Sequence, residues 1–210
     1  MSKLVIEQPD GSNRDLASAE RRSAILHATL ELLAARGLHQ TKIADIVRES
    51  GASIGSIYHH FGSREGVFYA LYIETFELCF AELRTAVLPS TTAREGIRGL
   101  ADTYLRWVEQ HPARATFIYD VSQGDILRSF LPEIAAFKGA FYTEIFAWMQ
   151  PFIAAGEIIA LPPWAYDAIM MGPAHEFARR WLGGQRELPM AAAREIIADS
   201  IWRAMQPATS

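Results

Sequence analysis

An all-α chain of about nine helices is the fold class that this sequence predicts, and three observations carry it. Apolar residues recur at helical spacing through most of the chain, no segment sustains the alternation of a strand, and Pro and Gly breaks cut the remainder into helix-length pieces. With 210 residues, 50% hydrophobic and 21% charged, the chain can bury a sizeable core and is not disordered as a whole. Its lone cysteine, Cys79, excludes a disulfide framework and any zinc site built on several thiolates. No long apolar stretch follows Met1, and the apolar region from Ile158 to Ala174 is broken by Pro162, Pro163, Asp167 and Pro173. The expectation is a soluble, cytoplasmic protein with no signal peptide and no membrane partner.

Taken in order, residues 1–17 are polar and turn-rich and read as a flexible arm. From Ser18 the pattern turns helical: Ile25, Ala28, Leu32 and Ala35 form a stripe that Leu33 widens and Gly37 ends. Thr41 is placed to cap a short helix with Ile43, Ile46 and Val47 on its apolar face, closing at Gly51. Ser53 is placed to cap a second short helix, Ile54 to Phe61. From Ser63 a longer helix carries Phe68, Leu71, Tyr72, Thr75, Leu78, Cys79 and Glu82 on one spacing. Beyond residue 88 the breaks leave pieces at about 92–110, 112–121, 132–154, 163–182 and 189–205.

Two short helices separated by Gly51-Ala52-Ser53 have the form of a helix-turn-helix. Gly51 tolerates the positive φ that ends the first helix, and small Ala52 lets the pair cross closely. Ile43, Ile46, Val47, Ala52, Ile57 and Phe61 glue the pair to its neighbours, leaving Ser56, Tyr58, His59 and His60 with polar groups directed outside. So short a helix folds poorly alone, and insertion into a DNA major groove gives its exposed edge a reason. Charge agrees in direction: residues 71–210 hold the whole net charge of −4, and residues 36–64 carry four basic against two acidic side chains.

The run from Gly37 to Val47, then Gly51-Ala52-Ser53-Ile54-Gly55-Ser56-Ile57-Tyr58-His59-His60-Phe61-Gly62-Ser63-Arg64-Glu65, resembles the DNA-binding domain of TetR/AcrR-type regulators. The likeness covers roughly residues 20–70 without a gap, and Gly172-Pro173-Ala174-His175-Glu176 through Gly184 is similar to the family's penultimate helix. The resemblance implies a helix-turn-helix DNA-binding domain at 18–66, a helical ligand-binding and dimerisation domain at 67–206 and a tail at 207–210. It implies that Thr41, Lys42 and Arg64 touch phosphates, and that Ser53, Gly55, Ser56, Tyr58, His59 and His60 lie on or lead into the recognition helix. Two departures are a charge at Lys42, where many members have Thr, and Ala44, where a base-reading Arg or Lys is common. It further implies an effector pocket lined by some of Tyr72, Phe76, Phe80, Tyr104, Trp107, Phe117, Phe141, Tyr142, Trp148 and His175.

For a homodimer, the stripes Met171, Ala174, Ala178, Leu182 and Ile197, Ile201, Ala204 are expected to build a four-helix interface. The alternative, that both stripes face the protomer's own core, accounts for part of that surface. The expected partners are thus a palindromic double-stranded operator, a small and largely apolar effector, and a second copy; the expected role is repression. An enzyme or carrier in the helical part is the rival function. Against it, the sequence has no nucleophile–base pairing, no phosphate loop and no metal-ligand spacing, so no catalytic residue, metal or cofactor is expected. His59 and His60 point about 100° apart on a helix and cannot share one ion, and no Glu has a His three residues later.

Overall fold

The computed structural model describes residues 10–122 and 124–207. Among them are nine α-helices, one short 3-10 turn and no strand, as the periodicity predicts. Contacts group the chain into two compact units that part between Leu71 and Tyr72.

In the first unit, α1 spans Asp10–Arg36, α2 Ile43–Ser50 and α3 Ile54–Phe61, and α4 (Arg64–Val87) begins there. Helix α1 starts at Asp10, eight residues before the expected Ser18; residues 1–9 of the expected arm lie outside the described ones. The early turns survive exposed because residues 14–22 are largely Ala, Leu, Glu and Arg, which form helix without burial. The later turns bury Ile25, Leu26, Ala28, Thr29 and Leu32. These pack with Ile46, Ile57, Val67, Phe68 and Leu71, all essentially sealed from solvent, into the unit's core.

The cap of α2 also differs from expectation. Lys42, not Thr41, holds the N-cap position, and its backbone N–H donates to the Asp45 carboxylate at 3.2 Å. Thr41 is fully buried, and its hydroxyl donates to the Gly37 carbonyl at 2.9 Å, closing the α1–α2 turn instead. Ser53 does cap α3, accepting the Ser56 N–H at 3.1 Å. At Gly66 a Cβ would lie 1.8 Å from the Phe61 carbonyl oxygen, so only glycine lets the first turn of α4 lie against the end of α3.

The second unit takes the rest of α4 with α5 (Ala93–Gln110), α6 (Pro112–Ser122), α7 (Leu131–Ala154), α8 (Pro163–Leu182) and α9 (Met190–Met205). Thr92 caps α5 through the Glu95 N–H at 3.2 Å. Helix α5 buries Ile97, Leu100, Ala101, Tyr104, Leu105, Trp107 and Val108, a stripe wide enough to serve neighbours on two sides. It packs against α8 and, most extensively, α9. Arg194 and Arg106 pair with Asp102, and Arg98 with Glu195 and Asp199, along the α5–α9 seam. Helices α4 and α7 are clamped by the two-pronged Arg84–Glu144 pair at 2.5 and 3.1 Å.

That packing corrects the expected dimer stripes. Met171, Ala174, Ala178, Ile197 and Ile201 are already buried within the single chain, Ile201 at 1% exposure, because α8 and α9 turn these faces toward α5. Leu182 is half-buried against the same core. Of the seven, only Ala204 is exposed.

Candidate nucleic-acid interface and ligand cavity

The helix-turn-helix owes its corner to Gly51, whose φ of 66° ends α2 in the left-handed region, and to buried Ala52 behind it. Ile57 is fully buried and anchors α3 from beneath. The opposite edge is open: Ile54 is 57% and Tyr58 50% exposed, and Gly55 and His59 are exposed beside them. Ile54 and Tyr58 stand one turn apart, as do Gly55 and His59, so these positions form one outward face. Ser53 is exposed at the leading end; Ser56 is half-buried.

The basic groups differ in how free they are. Lys42 is exposed with no ion pair to a described residue. Arg36 and Arg48 both pair with Asp45, at 3.2 and 2.6 Å, and Arg48 is the main reason the Asp45 carboxyl sits below its ordinary range. Arg64 is half-buried, donates to Glu65 at 3.1 Å and lies over the Phe68 ring. Thr41, sealed and bonded inward, presents no hydroxyl to a phosphate, which withdraws its expected side-chain contact. His60 is half-buried; burial first, then His59, Arg21 and Arg22, lower its pKa, so it is neutral at pH 7 and supplies no positive charge. Arg22 also lies over Phe61, 5.8 Å from its ring centre. Arg21 and Arg22 were not among the expected site residues. The Arg21-Arg22 pair on α1 was the available signal.

In the second unit a cavity of about 830 Å³ opens among α4, α5, α6, α7 and α8. That is within the range of pockets that take drug-sized molecules. Of the ten expected lining residues, Phe76, Phe80, Tyr104 and Trp107 line it from α4 and α5, and Phe141, Tyr142 and His175 from α7 and α8. Phe80 and Phe141 stack with ring centres 3.8 Å apart. Three of the ten do not line it. Tyr72 is buried against Phe76, Phe117 is buried in α6, and Trp148 donates its indole N–H to the Ser90 carbonyl at 3.1 Å over Gly96. Aromatic type alone does not separate such core and lining positions.

The wall also holds polar residues that the sequence reading passed over, among them Tyr119, Lys138, Tyr166 and Asp167. A charged residue alone in an apolar helical stretch, as Lys138 is between Phe137 and Gly139, was the usable signal. Most hydroxyl protons on the wall are already committed. Ser122 donates to the Ile118 carbonyl, Thr143 to that of Gly139, and Tyr166 to that of Ile159. Tyr119 donates to the His175 carbonyl at 3.1 Å, so in its 2.6 Å contact with Tyr104 it accepts, and the Tyr104 oxygen is left as an acceptor only. Burial raises the Tyr104 and Tyr119 pKa values and lowers those of His175 and Lys138. Burial likewise pushes the Cys79 thiol up, so this cavity cysteine is an unreactive hydrophobe.

Comparison with known proteins agrees with this arrangement. Residues 25–71 match the family model for bacterial regulatory proteins of the tetR family. The HTH-type transcriptional repressor KstR2 of Mycobacterium tuberculosis is 31% identical over 103 residues, covering 49% of this chain and 52% of that protein. The HTH-type transcriptional regulator BetI of Escherichia coli is 33% identical over 88 residues, covering 39% of this chain and 43% of that one. The chain thus spans about half the length of the curated relatives it matches. A solved TetR family transcription regulator from Marinobacter aquaeolei shares the fold with a TM-score of 0.76 at 19% identity, over 91% of this chain and 98% of that one. The helix-turn-helix segment thus matches the tetR family model, and the chain shares the all-helical fold of a solved TetR family regulator.

Proposed function

We propose that the protein is a ligand-responsive transcriptional repressor that binds a palindromic operator as a homodimer and is released by a small, largely apolar effector. The observation that carries this is the outward face of α3, where Ile54, Tyr58 and His59 stand exposed on a helix held from behind by Ile57. An exposed helix of this kind is what a major groove accepts, with Lys42 at the neighbouring helix start for a phosphate. Two similar proteins are named an HTH-type transcriptional repressor and an HTH-type transcriptional regulator. An enzyme or carrier is less well supported, because the matched family is one of regulatory proteins.

For the dimer, the surface we assign is the outer face of α9. Ala192, Ile196, Ser200 and Ala204 recur every fourth residue, all exposed, with Ile196 at 59%. Small residues around one large apolar side chain let a second helix approach closely. Two copies related by a two-fold axis read inverted half-sites, and effector binding acts by favouring a spacing of the two recognition helices that mismatches successive grooves. Footprinting on DNA upstream of the protein's own gene tests the assignment: two protected half-sites in inverted orientation support it, and a single unpaired half-site contradicts it.

A further inference from the structure

We infer that the cavity of the second unit takes an elongated apolar molecule ending in a carboxylate, with the Lys138 ammonium as its counter-ion. This rests on the effector reading of the same cavity. Lys138 lines the cavity from α7, half-buried, with its Nζ over the Phe76 ring 4.8 Å from the centre. No described carboxylate lies within 4.0 Å of it, and no described group accepts its protons. Arg84, Arg114 and Arg194, which also lie between helices of this unit, are each paired with a carboxylate. Beyond the ring, the charge of this half-buried ammonium is answered at a distance by Asp167, which offsets only part of the lowering that burial imposes on its pKa.

The remaining wall narrows the ligand further. Because Ser122, Thr143, Tyr104, Tyr119 and Tyr166 spend their protons on protein acceptors, they have none left for a ligand anion. The Lys138 ammonium therefore suits a ligand that brings an acceptor. Asp167, the acid in the wall, is exposed at the rim beside Trp164 and so is hydrated and screened. From Lys138, α7 continues along the cavity through Phe141 and Ile145 to Met149, about 16 Å of helix that is apolar on this side. An extended chain laid along it with its head at Lys138 matches polar to polar and apolar to apolar.

The test uses the full-length protein without DNA, titrated with dodecanoate and with dodecanol, binding being read by tryptophan fluorescence or calorimetry. The expected result is dodecanoate binding at least about ten-fold more tightly, as a buried charge-assisted bond implies. That preference should collapse in Lys138→Met and persist in Lys138→Arg, with melting temperatures confirming that both variants fold. Equal binding of acid and alcohol, no binding of either, or an undiminished preference in Lys138→Met would overturn the inference. DNA release is not read in this titration. Acid that binds through Lys138 yet leaves operator complexes intact would overturn the effector reading while leaving the ligand chemistry standing.

Discussion

Lys42 and His59 are both exposed in the first unit, yet they should fail in different ways. A phosphate contact carries no sequence information, so Lys42→Ala should weaken operator and random DNA alike and lower the slope of log K against log salt by about one per contact, two per dimer. An unchanged slope would place Lys42 off the backbone. His59→Ala should instead cost operator affinity by about 1–3 kcal/mol while sparing random DNA, measured by competition binding. Thr41 was legible as a motif residue but not as a buried one, since hydroxyl placement depends on the tertiary turn it closes onto Gly37. His175 contributes to the pH dependence of the second unit. Burial lowers its pKa below the ordinary 6.5, so the unfolded chain binds the extra proton more readily. Its contribution to stability is present above about pH 6.5 and is lost as pH falls below that toward the folded value. The fall in melting temperature between pH 7.5 and pH 5.5 should therefore be smaller in His175→Gln; an equal fall would locate the proton uptake elsewhere.

Helices α2 to α9 were legible almost to the residue, because caps and breakers act locally: Ser53 and Gly51 needed no tertiary context. Helix α1 was read short because its first turns lack an apolar stripe and stand on propensity alone. The stripes of α8 and α9 show the other limit. Periodicity says that a face is covered and does not say by what, and α5 of the same chain covers Ile197 and Ile201. Two variants separate the faces. Ile201→Asp buries a charge in the core and should destabilise the second unit by about 4 kcal/mol or more, read by thermal or denaturant unfolding. Ile196→Asp alters an exposed position and should leave the fold intact while sedimentation shows a monomer. A dimeric Ile196→Asp protein would remove the α9 outer face from the interface. At the corner of α3 and α4, Gly66→Ala drives a Cβ into the Phe61 carbonyl, and a loss of about 3 kcal/mol in the first unit is the expected outcome.

For the molecule as a whole, the proposed function joins two activities: sequence-specific DNA binding by the first unit and its relief by a ligand in the second. The helix-turn-helix was readable from the Gly51–Glu65 run because turn, cap and exposed edge lie close together in the chain. The cavity was only partly readable, since its wall is assembled from five helices and aromatic type does not distinguish Phe80, which lines it, from Phe117, which does not. A gel shift on the region upstream of the protein's own gene, repeated with increasing dodecanoate, tests both halves together. The account predicts a discrete complex at nanomolar protein that resists random competitor DNA and dissociates as the acid is added. A complex abolished equally by random DNA, or one that persists at saturating acid, would contradict it.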